Sequence, residues 1–285
     1  MKIMVTGAFG LLGGAIQNSL PKNFENIRTG IHIPDRQKGY CLDILDRIKL
    51  KEIINLHKPN IIINLAAMTN VDLCEKSPML ARKINVEGVY NICDLFEGKI
   101  IQISTDYIFD GKTGPYKEED VPLPLSSYGK TKLEAEKIIK NHNSDNLIIR
   151  GNVLYDYCKY TKASFFNWVI NSLKKQKPIS VVDDQINNPT WSKSMSKIIG
   201  LCIEKEISGI YHWGDATFLS RYKFADIIAK KYNLDNSLIS PISTEELNQQ
   251  APRPLNSGLN SDKLANVLGV VPPTLEECLN SIIVN

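Results

Sequence analysis

The sequence runs to 285 residues, 43% hydrophobic and 23% charged, enough for one large globular core or two modest ones. A net charge of +3, from 34 basic and 31 acidic side chains, makes no broad field for nucleic acid, although a nucleotide ligand needs only a local patch. Six cysteines without a CxxC pair and four scattered histidines argue against a metal site or a disulfide framework and point to a reducing cytoplasm, and the most apolar run, Ile61 to Met68, is broken by Asn64 and too short to cross a membrane.

The stretch Met1-Lys2-Ile3-Met4-Val5-Thr6-Gly7-Ala8-Phe9-Gly10-Leu11-Leu12-Gly13 drives a strand, Ile3 to Thr6, through a glycine-rich turn into a helix, Leu11 to Leu20. The spacing is GxxGxxG. Gly7 permits the tight turn, Gly10 lets backbone N–H groups approach a pyrophosphate, and Gly13 lets the helix pack closely on the strand. A second strand lies near Ile27-Arg28-Thr29-Gly30. Helical and strand patterns then alternate: a helix over Ile48 to Leu56, a strand over Ile61 to Leu65, a helix over Ala81 to Phe96 and a strand over Ile100 to Ser104. Ser126 or Ser127 caps a further helix carrying Leu133, Ala135, Ile138 and Ile139, before a strand over Leu147 to Arg150. This alternation predicts an α/β fold, a doubly wound parallel sheet of Rossmann type over residues 1–150. Beyond Gly151 the pattern is interrupted by Pro178, Pro189, Pro241, Pro252, Pro254, Pro272 and Pro273. Residues 151–285 read as a smaller C-terminal substrate-binding lobe, from which later elements can return to the first domain.

Tyr128 and Lys132 stand four residues apart, on one face of the predicted helix. Such a pair can donate a proton to a carbonyl, and a fixed positive charge beside the phenol is expected to bring its pKa down from about 10. The same spacing recurs at Tyr155 and Lys159, but no helical period surrounds it, so Tyr155 reads as a structural or pocket aromatic. Ser104 and Thr105 end a strand at the carboxyl edge where open α/β sheets bind ligands, and can hydrogen-bond a reacting carbonyl. Asn64-Leu65-Ala66-Ala67 ends the preceding strand with small residues against which a cofactor can lie.

Together these residues resemble the extended short-chain dehydrogenase/reductase superfamily and, within it, the dTDP-4-dehydrorhamnose reductase family. The resemblance covers nearly the whole chain in order: the glycine motif, Asn64 to Ala67, Ile84-Asn85-Val86, Ser104 to Gly111, Tyr128 to Lys132, Gln185 with Asn188-Pro189-Thr190, Gly209-Ile210-Tyr211-His212, and Ala251 to Ser257. It implies a ketoreductase acting on a nucleotide-activated deoxysugar in surface polysaccharide biosynthesis, with Thr105, Tyr128 and Lys132 as catalytic residues. By the same resemblance Tyr128 donates the proton, Thr105 holds the carbonyl and Lys132 binds the nicotinamide ribose. Gly7, Phe9, Gly10, Leu11, Leu12, Arg28, Asp43, Ile44, Leu65, Ala66 and Ala67 are the expected cofactor residues. Thr105, Asp106, Tyr107, Asn85, Gln185, Thr190 and Arg253 are expected toward the substrate, the Arg253 guanidinium suiting a diphosphate. A homodimer is compatible with this reading.

The chain departs from the family at Arg150-Gly151-Asn152-Val153-Leu154-Tyr155-Asp156, where an Arg-Thr-Ser-Trp-Val-Tyr-Gly type of sequence is usual. The substrate-facing Trp is absent, which leaves the sugar open; Trp168 and Trp191 are other sources of aromatic surface, although core packing is the first expectation for either. Tyr107 stands where sugar-nucleotide dehydratases carry a Glu base, which disfavours dehydration. The second strand lacks an acidic residue at its immediate end, which favours NADPH with Arg28 or Arg36 toward the 2′-phosphate, whereas Asp35 leaves NADH open. Two competing readings are a sugar-nucleotide epimerase with bound NAD and a non-catalytic NADP-binding regulatory subunit.

Overall fold

The computed structural model describes residues 1–20, 24–158 and 164–284. In chain order the first part runs β1 (Lys2–Thr6), α1 (Leu11–Ser19), β2 (Glu25–Gly30), β3 (Tyr40–Cys41), α2 (Arg47–His57), β4 (Ile61–Asn64), α3 (Val71–Lys76), α4 (Pro78–Arg82), α5 (Gly88–Leu95), β5 (Lys99–Thr105), α6 (Ser127–His142) and β6 (Leu147–Gly151). It continues through β7 (Leu154–Tyr155), α7 (Phe165–Lys174), β8 (Ile179–Val182), β9 (Ile186–Asn187), β10 (Thr190–Trp191), α8 (Ser192–Glu204), β11 (Gly209–Trp213), β12 (Leu219–Ser220), α9 (Arg221–Lys231), β13 (Ile239–Ile242), α10 (Thr244–Leu247), α11 (Asp262–Leu268) and α12 (Leu275–Ser281). Seven strands form one parallel sheet in the order β11-β6-β5-β4-β1-β2-β3.

A parallel sheet covered on both faces needs strands that are apolar on both sides. Alternate residues of β1 and β4 accordingly enter two different cores. Ile3, Val5, Ile61 and Ile63 pack with Ile16, Met195, Ile199 and Trp213, under α1 and α8. Met4 and Ile62 point the other way, to Leu50, Ile92 and Ile139 of α2, α5 and α6. A third core, of Tyr155, Phe166, Ile170, Phe224, Ile228 and Leu279, holds the C-terminal elements together.

The strand β11 pairs with β6 at the sheet edge, so residues well past 150 complete the sheet. The uninterrupted helix expected over Ala81 to Phe96 is instead α4, a π-helical turn over Lys83–Glu87, and α5. The π-turn leaves the apolar face largely intact, which is why periodicity alone reads it as ordinary helix.

Beneath β6, Arg150 makes a two-pronged, buried ion pair with Glu136 of α6, Nε to Oε1 at 3.0 Å and Nη2 to Oε2 at 2.8 Å. His212 of β11 joins it, with Nε2 3.2 Å from Arg150 Nη1 and Nδ1 3.1 Å from the Tyr116 carbonyl. Arginine can only donate and a carbonyl only accept, so the proton sits on Nδ1. Burial and the neighbouring Arg150 hold His212 neutral, its pKa pushed down to about 3. Removing one member of a buried ion pair strands the other charge, at about 3–5 kcal/mol. Glu136→Ala should therefore lower unfolding free energy by about that much in denaturant titrations; an effect below about 1 kcal/mol, the range of an exposed pair, would contradict the assignment.

Candidate active site

Gly7 adopts φ +62°, and a Cβ there would come within 2.9 Å of the Leu65–Ala66 backbone, so only glycine lets the first turn lie against the end of β4. At Gly13 a Cβ would meet the Ala8 backbone at 2.5 Å, which forces the close approach of α1 to β1. Gly10 is the N-cap of α1 and supplies no side-chain cap, and a Cβ on it would approach nothing nearer than the Gly7 carbonyl at 3.4 Å. The open helix N-terminus and the space in front of Gly10 fit a dinucleotide pyrophosphate.

The other expected cofactor residues divide. Leu12 is buried in the sheet core, while Leu11 is half-buried at the start of α1. Ile44 packs under Gly88 of α5, and exposed Asp43 accepts the Leu45 N–H at 2.9 Å, leaving Asp46 to cap α2. The Phe9 ring lies against Gly30 and Gly39 and 4.4 Å from the Arg28 guanidinium, which also donates to Gln37 Oε1 at 2.6 Å. Arg28 lines a cavity of about 760 Å³ with Gln17, Arg36, Lys38, Tyr40 and His57 at the β3 edge of the sheet; Thr105, Tyr128 and Lys132 do not line it.

The catalytic candidates converge at the carboxyl ends of β4 and β5. A buried relay crosses three strands: Thr6 Oγ1 donates to Asn64 Oδ1 at 2.5 Å, Asn64 Nδ2 to Gln102 Oε1 at 2.8 Å, and Gln102 Nε2 to the Ile103 carbonyl at 2.8 Å. Lys132 Nζ donates to that same carbonyl at 2.6 Å. The lysine is 5% exposed, and burial pushes its pKa down to about 8 against a pull upward from Glu136.

Tyr128 follows the N-cap Ser126, whose hydroxyl accepts the Gly129 N–H at 3.2 Å. No sequence motif singles out Gly129, yet a Cβ there would fall 2.1 Å from the Tyr107 carbonyl, so only glycine at this position lets α6 approach the turn after β5. The turn Asp106–Ile108 brings the Tyr107 ring edge-on to Tyr128, centroids 5.8 Å apart. Thr105 Oγ1 donates to Asp106 Oδ1 at 3.0 Å and accepts the Tyr107 N–H at 3.2 Å.

The phenol is not acidified as its spacing from Lys132 leads one to expect. Tyr128 is half-buried, and burial raises its pKa above the usual value, with Thr105 lowering it in part. It therefore stands protonated. Asp106 is buried and accepts the Ser257 hydroxyl; burial pushes its pKa up to about 6 against the bonds from Ser257 and Thr105.

Asn85, in the π-turn, fastens this assembly. Its Oδ1 accepts the Met68 N–H at 2.7 Å, and its Nδ2 donates to the Met68 carbonyl at 3.1 Å and to Thr131 Oγ1 at 3.0 Å. Thr131 in turn donates to the Tyr128 carbonyl at 2.8 Å.

On the expected substrate side the structure rearranges the assignments. Arg253 is 7% exposed and already paired with Asp72 at 2.9 Å, while Nη1 donates to the Ala251 carbonyl at 3.0 Å. Asp72 also accepts the Ala251 N–H, so this pair ties the 251–257 segment to α3. Gln185 is buried and donates to Thr244 Oγ1 at 3.0 Å. Thr190 is fully buried beside the Trp213 carbonyl, not at a cleft surface. Tyr155 lies in the third core with Phe166 and Phe224, a structural place; its partner by spacing, Lys159, lies outside the described residues. Trp168 is exposed on α7 and Trp191 half-buried near Lys193.

Known proteins resemble this chain over most or nearly all of its length. The chain is 32% identical over 99% of its length to a dTDP-4-dehydrorhamnose reductase of Aggregatibacter actinomycetemcomitans, spanning 98% of that protein. It is 31% identical over 92% of its length to methionine adenosyltransferase 2 subunit beta of Xenopus laevis, covering 81% of it. The crystal structure of a dTDP-4-dehydrorhamnose reductase from Bacillus anthracis in complex with NADP superposes with a TM-score of 0.89 at 30% identity, covering 99% of this chain and 98% of that one. The family model described as the RmlD substrate binding domain matches residues 1–285, and the chain belongs to that family.

Proposed function

We propose that this protein uses NADPH to reduce the C4 ketone of a nucleotide-activated 6-deoxyhexose of the dTDP-4-dehydrorhamnose type, a step in making surface polysaccharide sugars. The observation that carries the reading is the convergence of Thr105, Tyr128 and Lys132 at the end of β5, beside a glycine cradle whose helix N-terminus no side chain fills. The reductase relatives, one of them bound to NADP, support it.

When bound, NADPH supplies the hydride that adds to the carbonyl carbon. Gly7, Phe9, Gly10, Leu11 and Leu12 would hold its pyrophosphate, Asp43 and Ile44 its adenine side, and Leu65, Ala66 and Ala67 the backbone wall. Arg28, which has no carboxylate partner among the described residues, would exchange Gln37 for a 2′-phosphate.

Thr105 trades its bond to Asp106 for one to the ketone oxygen. As negative charge develops there, the Tyr128 proton moves onto the oxygen and becomes the product hydroxyl. The phenolate left behind is stabilised by the Lys132 ammonium, which the Ile103 carbonyl holds in place. Asn85 positions α6 through Thr131. Tyr107 stands where a dehydratase carries its carboxylate base, which disfavours dehydration. The relatives named as a subunit raise a non-catalytic reading; the assembled catalytic residues oppose it.

Turnover of dTDP-4-dehydrorhamnose, followed as NADPH oxidation, should fall at least about 100-fold in Tyr128→Phe while NADPH still binds. Tight NADPH binding without oxidation on any dTDP-4-keto-6-deoxysugar would favour the subunit reading. The rate should also decline as pH rises through about 8, because Lys132 is cationic below that value and neutral above it. Tyr128 is shifted the other way and contributes no fall there, so a profile flat across that point would contradict the role given to the ammonium. Asn85→Ala should lower kcat with little change in NADPH affinity, and cost about 1–3 kcal/mol of stability through the stranded Met68 and Thr131 groups.

A further inference from the structure

If the substrate is a sugar nucleotide, its diphosphate must be met by a cation close to the ketone site. Arg253 is a poor candidate, since Asp72 and the Ala251 carbonyl already engage its guanidinium. A second arginine, which no sequence motif marked, stands better placed.

Arg221 opens the eleven-residue helix α9 directly after the N-cap Ser220, and its backbone N–H donates to the Gln185 carbonyl at 3.2 Å. Its guanidinium lies 5.3 Å from the Phe165 ring, and its charge, together with that of Arg253, opposes the rise that burial imposes on the phenol of Tyr107, the residue whose ring stands edge-on to Tyr128. Arg221 is therefore one aromatic side chain away from the proton donor. Among the described residues it forms no ion pair. The nearby carboxylate, Asp106, already accepts hydrogen bonds from Ser257 and Thr105. A half-buried guanidinium among aromatic rings, without a counter-ion of its own, has lost part of its hydration and gains most from an anion that arrives with the ligand. The N-terminus of α9 adds favourable charge at the same place. Two adjacent phosphates offer the paired acceptors that a guanidinium matches.

We infer that Arg221, not Arg253, binds the diphosphate of the sugar nucleotide, and that the Arg253–Asp72 pair instead holds the 251–257 segment over the site. The inference rests on the proposed function and sharpens it, because it assigns the phosphate end of the substrate to the start of α9.

Equilibrium binding of dTDP and of thymidine to the NADPH-loaded protein separates the assignment of Arg221 from the sugar-nucleotide reading it rests on. Wild type should bind dTDP well and thymidine weakly. Arg221→Ala should weaken dTDP about tenfold to a hundredfold, as loss of a charge-assisted pair does, and leave thymidine unchanged. Arg221→Lys, which keeps the charge and is the milder change for folding, should recover only part of the affinity because an ammonium cannot bond both phosphates as a fork. If Arg221→Ala and Arg221→Lys bind dTDP as tightly as wild type does, Arg221 is not the phosphate residue. If the wild-type protein itself binds no dTDP, the sugar-nucleotide reading fails first.

Discussion

The site depends on one buried contact, the Lys132 ammonium against the Ile103 carbonyl. A charge taken out of water must find a partner, and this lysine finds the backbone of β5, where the carbonyl's two lone pairs serve both Lys132 and Gln102. That bond fixes the register of α6 on the sheet. The relay from Thr6 through Asn64 and Gln102 ties the same carbonyl to β1 and β4, so the glycine turn and the catalytic helix are set against each other by hydrogen bonds deep in the sheet. Gly129 completes the fit, letting the helix come near enough to the Tyr107 carbonyl that the Tyr128 ring meets that of Tyr107.

This arrangement divides the labour between two groups of opposite tendency. Burial disfavours the charged form of each, raising the phenol of Tyr128 and lowering the ammonium of Lys132. A phenol held protonated is a donor in waiting. In the proposed reaction the lysine, cationic below about 8, favours the phenolate once the proton has left. On that reading the pair works in sequence, and the expectation that the lysine acidifies the resting phenol overlooked the loss of water around both.

Local signals in the sequence carried much of the fold. The glycine motif, the isoleucine-rich strands and the Ser126 cap each act within a few residues, so they are visible without knowing what packs where. What escaped is non-local. The π-turn that aims Asn85 at Thr131 looks like plain helix by apolar period. The Arg253–Asp72 pair joins positions 181 residues apart, so the motif around Arg253 could not reveal that its charge is already met by α3. Arg221 carried no motif at all, and only the folded chain brings the start of α9 close enough for its charge to act on the Tyr107 phenol.

The most direct test of the central contact is a titration of the lysine side-chain ammonium signals by nuclear magnetic resonance, with Lys132 assigned from Lys132→Met. One ammonium should lose its proton near pH 8, well below an ordinary lysine, and that signal should be missing from the variant. If the Lys132 signal titrates at the ordinary value near 10.5, the ammonium is hydrated and not held on the Ile103 carbonyl, and the account of how this site is built is wrong.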